Sequence, residues 1–377
     1  MYEICLVGEI DPKYEEKLLN TIARLLEPQQ LELGKEILVS KGIGAFRNDP
    51  QSINAIVFFG SKEKSEKPDQ IPLSTGVPII TIVSQYENLL NEIPEYLQHI
   101  NAISFANLSV ERVATCILEK LDLLPSQRVV FLSYRRDESR EIALQLYDSL
   151  LSRQYEVFLD THSVPLGSDF QDVLWHKLCC SDVLIMLDTT NYFNSRWSSA
   201  EFGRALSKNI PVLRVGWPGV LPSNRVATTS SHVLNLEEFD DRSLLKQECL
   251  NRICDHVEVL RCQGIGLRRT LFQSHLRLAI TSVMGEIEKV NDGESLVAKL
   301  PNGDSVNIIQ TLTVPDATTF NNAEEKFPNS RIAVVYDHIG VMSSWIRHLN
   351  WLGGHIRTVR WIKKDELAWK LAAWEVE

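Results

Sequence analysis

The sequence predicts a multi-domain α/β protein. Its central part is a flavodoxin-like domain with a five-stranded parallel sheet, flanked by two further α/β units. Three observations carry this. Short apolar, β-rich runs at residues 4–7, 129–132 and 332–336 each lead into a helix-like pattern, as buried parallel strands do. Between residues 127 and 262, five such runs alternate with helical patterns, the doubly wound order. At 377 residues the chain is long enough for two or three domains of roughly 150 residues each. Boundaries are expected near Pro125 and Cys262. This gives a receiver-like or flavodoxin-like unit over 1–125, the central domain over 126–262, and a C-terminal α/β unit over 263–377 suited to sensing or partner binding.

The elements follow in order. In the first unit, strands are expected at 3–7, 55–59, 78–83 and 102–105, and helices at 12–26, 86–99 and 109–123. Ser109, with Glu111 behind it, makes a good start for the last of these helices. The Leu33-Gly34-Lys35 triplet lacks the upstream glycine of a phosphate loop. In the central unit, strands are expected at 128–133, 156–159, 183–187, 212–215 and 232–236, with helices at 138–152, 168–180, 197–208 and 243–262. Ile142, Leu146 and Leu150 keep helical spacing. The third unit opens on a helix at 267–290, continues through a hairpin at Asn302-Gly303, and closes on a strand–helix–strand–helix run. Five of the eight tryptophans lie in it: Trp345, Trp351, Trp361, Trp369 and Trp374. They read first as core and interface rings, with a partner-binding face as the alternative.

Composition excludes several classes. A formal charge of −10, from 39 Lys+Arg against 49 Asp+Glu, argues against a dedicated nucleic-acid binder. No apolar run reaches the roughly 18 residues of a membrane-spanning helix, so no membrane partner is expected. The first residues read as a strand, with Glu3 where a signal peptide carries Lys or Arg. Seven cysteines are an odd number, scattered through helix and strand patterns. Together these features point to a cytoplasmic protein with reduced thiols. Cys249, Cys254, His256 and Cys262 stand at offsets that scatter them around one helix, so no metal site is expected there. Gly264-x-Gly266 follows a helical pattern and lacks a third glycine, so it is no dinucleotide fingerprint.

Ligands of a doubly wound sheet sit outside the carboxyl ends of its strands. In the central unit those ends hold three stretches. One is Phe131-Leu132-Ser133-Tyr134-Arg135-Arg136-Asp137. The next is Phe158-Leu159-Asp160, followed by His162, Pro165 and Gly167. The third is Ser195-Arg196-Trp197-Ser198-Ser199-Ala200-Glu201. In this order they resemble the Toll/interleukin-1 receptor (TIR) domain family, most closely its bacterial members and an NAD-hydrolysing animal member. The resemblance covers residues 127 to at least 217, and by strand count extends to 262.

The resemblance implies a five-stranded flavodoxin-like domain that cleaves the nicotinamide–ribose bond of NAD+. By the Trp-x-x-x-Glu spacing, Glu201 matches the family's catalytic carboxylate. Ser133, Tyr134, Arg135 and Arg136 match the stretch that lines its nucleotide pocket. Asp160 and Gly167 match a loop that flanks the pocket and touches a neighbouring protomer, and Ser195 matches a polar position before Trp197. NAD+ is then substrate, and no cofactor is implied. By analogy, the chain is a regulated effector of bacterial anti-phage defence, activated by TIR–TIR assembly. A protein or nucleotide signal read by the flanking units would trigger it.

The residue types suit that chemistry. Cleavage passes through an oxocarbenium-like ribose, which one nearby carboxylate stabilises. Nicotinamide leaves from a cationic ring and needs no general acid. Arginines offer charge-assisted bonds to a pyrophosphate. Trp197 and Glu201, four apart, project from one helix face. Plainer readings stand beside this one. Ser198 and Glu201 also fit a Ser-x-x-Glu capping box. Arg135-Arg136 suits a solvated loop, and Trp197 suits a core. His162 reads as an exposed loop histidine. The rival functions are a non-enzymatic TIR scaffold and a cyclase making a cyclic ADP-ribose-type messenger.

Overall fold

A computed structural model of the chain describes residues 1–49, 51–61, 71, 76–105, 109–159, 170–194, 196–227, 229–292, 294–356 and 358–374. It divides into two compact units, Met1–Gln127 with Cys254–Gln263, and Arg128–Ile253 with Gly264–Glu377.

The first unit runs β1 (Tyr2–Gly8), α1 (Pro12–Leu26), β2 (Ile37–Lys41), β3 (Ile53–Phe59), β4 (Ile79–Val83), α2 (Leu89–Glu92), β5 (Ala102–Ser104) and α3 (Val110–Lys120). The strands form an all-parallel sheet in the order β2-β1-β3-β4-β5, the flavodoxin arrangement. Both faces of β3 are covered, so Ala55, Ile56, Val57, Phe58 and Phe59 are all buried. Asp11 caps α1 by accepting from the Lys13 and Tyr14 amides, and Leu18, Ile22, Leu25 and Leu26 form its buried stripe. Ser109 caps α3 through the Arg112 amide.

Two expectations fail in this unit. Strand β2 was not anticipated: it is a five-residue edge strand, buried only at Ile37 and Ser40. The helix expected at 86–99 is broken into 3-10 turns at Tyr86–Asn88 and Glu95–Leu97 with the four-residue α2 between. Pro94 explains the break. It lacks an amide donor and forces Ile93 into an extended conformation (φ −105°, ψ 131°).

The second unit opens with β6 (Val129–Ser133), α4 (Arg136–Leu151), β7 (Glu156–Leu159), α5 (Phe170–Cys179), β8 (Val183–Asp188), α6 (Arg196–Ser207), β9 (Val212–Gly216) and β10 (Ser230–Val233). Its parallel sheet has the order β10-β9-β8-β6-β7, the flavodoxin arrangement again. The switch point, where strand order reverses, lies between β6 and β8. The core beneath it includes Phe131, Phe158, Leu184, Met186, Tyr192 and Phe202.

The helices expected at 243–262 and 267–290 are one continuous helix, α7 (Gln247–Ser282). It carries no proline, and its two glycines each cost only about 1 kcal/mol. Gly264 has a packing reason: a Cβ there would lie 2.5 Å from Pro211 Cγ, so only glycine lets the helix approach the start of β9. The segment belonging to the first unit buries two charges completely, Glu258 and Arg261. Thr115 Oγ1 donates to Glu258 (3.1 Å), and Arg261 donates to Glu119 (2.9 Å) and to the carbonyls of Pro125 (2.5 Å) and Gln127 (3.0 Å). Such burial is tolerated because both groups are hydrogen-bonded and Arg261 is paired with Glu119.

The helix ends eight residues before Val290. Met284 turns left-handed (φ 59°), its amide bonds to the Thr281 carbonyl (3.0 Å) and the Gly285 amide to the Ile280 carbonyl (3.0 Å), the paired bonds of a Schellman cap with methionine in the left-handed position. The chain continues as β11 (Glu286–Asp292), β12 (Ser295–Lys299), β13 (Ser305–Thr311), α8 (Ala317–Lys326), β14 (Ile332–Tyr336), α9 (Ser343–His355), β15 (Val359–Lys363) and α10 (Leu367–Ala372). The sheet keeps chain order, with β11-β12-β13 antiparallel and β13-β14-β15 parallel. The hairpin turns at Asn302-Gly303, as expected. The tryptophans divide: Trp374 is core, Trp345 donates to the Pro315 carbonyl (2.9 Å), and Trp351 and Trp369 are exposed. Among the described residues, no helix is long and apolar enough to cross a membrane.

Candidate functional site

Strand β6 is buried on both faces, and its last residue, Ser133, sits at the switch point of the sheet. Its hydroxyl donates to Glu201 Oε2 at 2.5 Å. It also lies 2.7 Å from the Tyr192 hydroxyl. Ser133 has a single proton, given to the carboxylate, so Tyr192 is the donor in the second bond. A directed chain results, Tyr192 to Ser133 to Glu201, closed from bulk water: Glu201 is 3% exposed, Ser133 1% and Tyr192 0%. Residues from the end of β6, the 3-10 turn Tyr192–Asn194 and helix α6 thus meet at one point.

Helix α6 begins at Arg196. Ser198 is therefore its third residue and Glu201 its sixth, too deep for the Ser198–Glu201 capping box the sequence also allowed. The carboxylate projects from the second turn toward β6. Trp197 lies four residues before Glu201 on the same helix, and its side chain is outside the described residues. Asp160, His162, Gly167 and Ser195 also lie outside them.

The remaining expected residues surround the start of α4. Tyr134 is buried. Arg135 occupies the N-cap position, and its Nη1 donates to the Asn191 carbonyl (3.0 Å). Glu138, one turn into the helix, accepts from Asn191 Nδ2 (2.6 Å) and the Asn191 amide (3.3 Å). Arg135 thus helps pin the loop that carries Tyr192. Arg136, the first residue of α4, is exposed at a helix N-terminus, where free amides and the helix dipole favour an anion.

Tyr192, Glu138 and Asn191 were not singled out from sequence. Tyr192 had a usable signal, because it is the one aromatic hydroxyl in the strand-end loop over 188–196. Arg225 is a further cation near α6, bonded to Ser199 Oγ (3.4 Å) and 5.6 Å from the Phe193 ring centre. The four residues Cys249, Cys254, His256 and Cys262 do not converge. Instead, Cys249 meets His232 and Glu238.

Burial pushes the Glu138 carboxyl upward, but hydrogen bonds from Thr189 and Asn191 and the nearby Arg135 charge outweigh it and hold it below its ordinary value of 4.5. A lowered folded-state pKa stabilises above the unfolded value and is lost as pH falls through the folded value. The loop anchor is therefore expected to weaken only as pH falls through that lowered value, more acidic than for an ordinary glutamate. Protection of the Asn191 amide against hydrogen exchange should fall across that range in the wild type. In Glu138→Gln it should be lower at neutral pH and show no acid step.

Residues 130–243 match a family model described as TIR domain. No curated protein matches the chain. Among solved structures, a PurR family transcriptional regulator from Vibrio parahaemolyticus matches at 14% identity over 70% of this chain and 94% of that one, with a TM-score of 0.19. A conserved domain protein from Vibrio cholerae matches at 12% identity over 85% and 97%, with a TM-score of 0.20. Overlaps this loose carry no argument.

Proposed function

We propose that the TIR domain this chain carries at residues 130–243 cleaves the nicotinamide–ribose bond of NAD+, with Glu201 as its catalytic carboxylate. One observation supports this above the others. The strand-end serine of the Ser-Tyr-Arg-Arg run and the helical glutamate, 68 positions apart, are directly bonded at the switch point of the sheet, where doubly wound folds bind nucleotides.

In this reading the ribose of NAD+ approaches the Glu201 carboxylate, which Ser133 and Tyr192 hold in place. Nicotinamide departs with the electron pair of the glycosidic bond. The carboxylate stabilises the oxocarbenium-like ribose that remains. Water then adds at the same carbon and releases a proton, giving ADP-ribose. Arg136 and the N-terminus of α4 suit the pyrophosphate. Arg135, engaged with Asn191, contributes by fixing the loop that presents Tyr192.

An unregulated NAD+ hydrolase would deplete its own cell. The C-terminal sheet packs in one compact unit with this domain. Lys208, just past α6, pairs with Asp337 (2.7 Å), and the His176 ring of α5 lies 5.5 Å from that of Trp345. The C-terminal part thus lies against α5 and the end of α6. In this reading it gates TIR–TIR assembly.

Incubation of NAD+ with the full-length protein, dilute and under crowding that forces assembly, tests the reading by product analysis. Equal amounts of nicotinamide and ADP-ribose are expected, rising with assembly. Nicotinamide with a cyclic nucleotide would instead make the protein a messenger synthase. No nicotinamide under any condition favours a scaffold.

A further inference from the structure

Away from Glu201, at the edge of the same sheet, three metal-ligating side chains converge. His232 lies on the edge strand β10, Glu238 closes the 3-10 turn Leu236–Glu238 that follows, and Cys249 sits in the first turn of α7. Cys249 Sγ is 3.8 Å from His232 Nε2, and His232 Nε2 is 3.7 Å from Glu238 Oε1. All three donor atoms lie within 4.8 Å of one another. In a tetrahedral zinc site, bond lengths of about 2.0–2.3 Å separate neighbouring ligand atoms by about 3.3–3.6 Å. Closing this trio on a cation thus needs small side-chain shifts and no backbone change.

The surroundings orient the donors. Glu238 Oε2 accepts the Asn235 amide at 2.7 Å, which leaves Oε1 directed at His232. That bond is the kind of outer contact that aims a ligating carboxylate. Cys249 is buried and its sulfur is fixed by the helix. The Arg252 guanidinium contacts the same Oε1 from the solvent side, placing positive charge where a cation would bond, and its side chain is exposed enough to swing away.

We propose that His232, Glu238 and Cys249 form a binding site for a Zn2+-class cation. One nitrogen, one sulfur and one oxygen donor suit a borderline metal, whereas Mg2+ and Ca2+ demand oxygen throughout. Coordination releases the Cys249 thiol proton to solvent and leaves a fourth position for water. The bound cation ties the edge strand, the turn after it and the start of α7 together. The proposal is independent of NAD+ cleavage.

The test uses reduced, chelator-stripped full-length protein, titrated with Zn2+ against a chromophoric chelator. One equivalent is expected to bind, and Mg2+ should not compete. His232→Ala and Cys249→Ser should each weaken binding by at least about tenfold, and Cys180→Ser should leave it unchanged. Arg252→Ala should tighten it, because Glu238 Oε1 loses its competitor. Co2+ should give a thiolate charge-transfer band in the wild type that is lost in Cys249→Ser. If that variant does not fold, His232→Ala and the wild-type cobalt spectrum decide. Absence of stoichiometric binding, equal affinity in His232→Ala, or weaker binding in Arg252→Ala would overturn the site.

Discussion

Glu201→Gln is expected to lower NAD+ turnover on the order of 100- to 1000-fold, the range seen when one preorganised electrostatic group is removed from a dry site. The substitution is nearly isosteric. Ser133 Oγ donates at 2.5 Å to one carboxylate oxygen and can donate to the amide oxygen that replaces it. The buried contact therefore survives while the negative charge that the proposed mechanism sets against the ribose is lost. Melting temperature should move by no more than a few degrees. Ser133→Ala gives the opposite signature. It removes one buried hydrogen bond to the Glu201 carboxylate and one to the Tyr192 hydroxyl, a cost of about 1–3 kcal/mol. Stability and turnover, measured on the same two variants, separate catalysis from architecture. Equal turnover in Glu201→Gln and the wild type would remove Glu201 from the mechanism.

The parts legible in the sequence were those with a local cause. Strands β6 and β8 carry unbroken apolar runs because both their faces are buried. Ser109 announced its helix because capping is a matter of two or three neighbouring residues. Ser133 and Glu201 were legible through family resemblance, and their direct bond was not. It joins residues 68 positions apart, and no periodicity encodes such a distance. The His232–Glu238–Cys249 trio was hidden because it joins an edge strand, a turn and a helix start that share no local pattern. Other misses arose where local signals conflicted. The apolar pattern around residues 86–99 outweighed Pro94, although proline decides backbone conformation on both sides of itself. Past Ser282 the helical pattern continues in composition, and the stop is made by Met284 in a left-handed conformation that a methionine does not announce. Between Cys262 and Leu267 the reverse occurred. The expected boundary there holds two glycines, yet Gly264 serves close packing against Pro211 inside an unbroken helix.

Asp188→Ala is expected to destabilise the protein by about 3–5 kcal/mol, a large share of the roughly 5–15 kcal/mol that holds a domain folded. Asp188 ends β8 and Arg214 lies within β9 beside it. Their side chains are 4% and 2% exposed, with Arg214 Nε donating to Asp188 Oδ2 at 2.5 Å. Arg214 Nη2 donates to the Val220 carbonyl at 3.2 Å. Gly216 completes the arrangement, because a Cβ there would lie 2.4 Å from Arg214 Nη1. Exposed pairs such as Lys35–Glu32 are screened by solvent and salt, so their loss should pass unnoticed. Removing Asp188 differs in kind, since it strands a guanidinium in a dry interior. The double variant Asp188→Leu with Arg214→Met removes both charges and should recover most of the loss. Denaturant midpoints of the two single variants and the double variant measure the coupling directly. A cost below about 1 kcal/mol for Asp188→Ala would mean that water or another group reaches Arg214. Because Asp188 also opens the loop that delivers Tyr192 to Ser133, the same variant should lose turnover together with stability. Glu201→Gln should lose turnover alone, and that contrast separates the scaffold of the site from its chemistry.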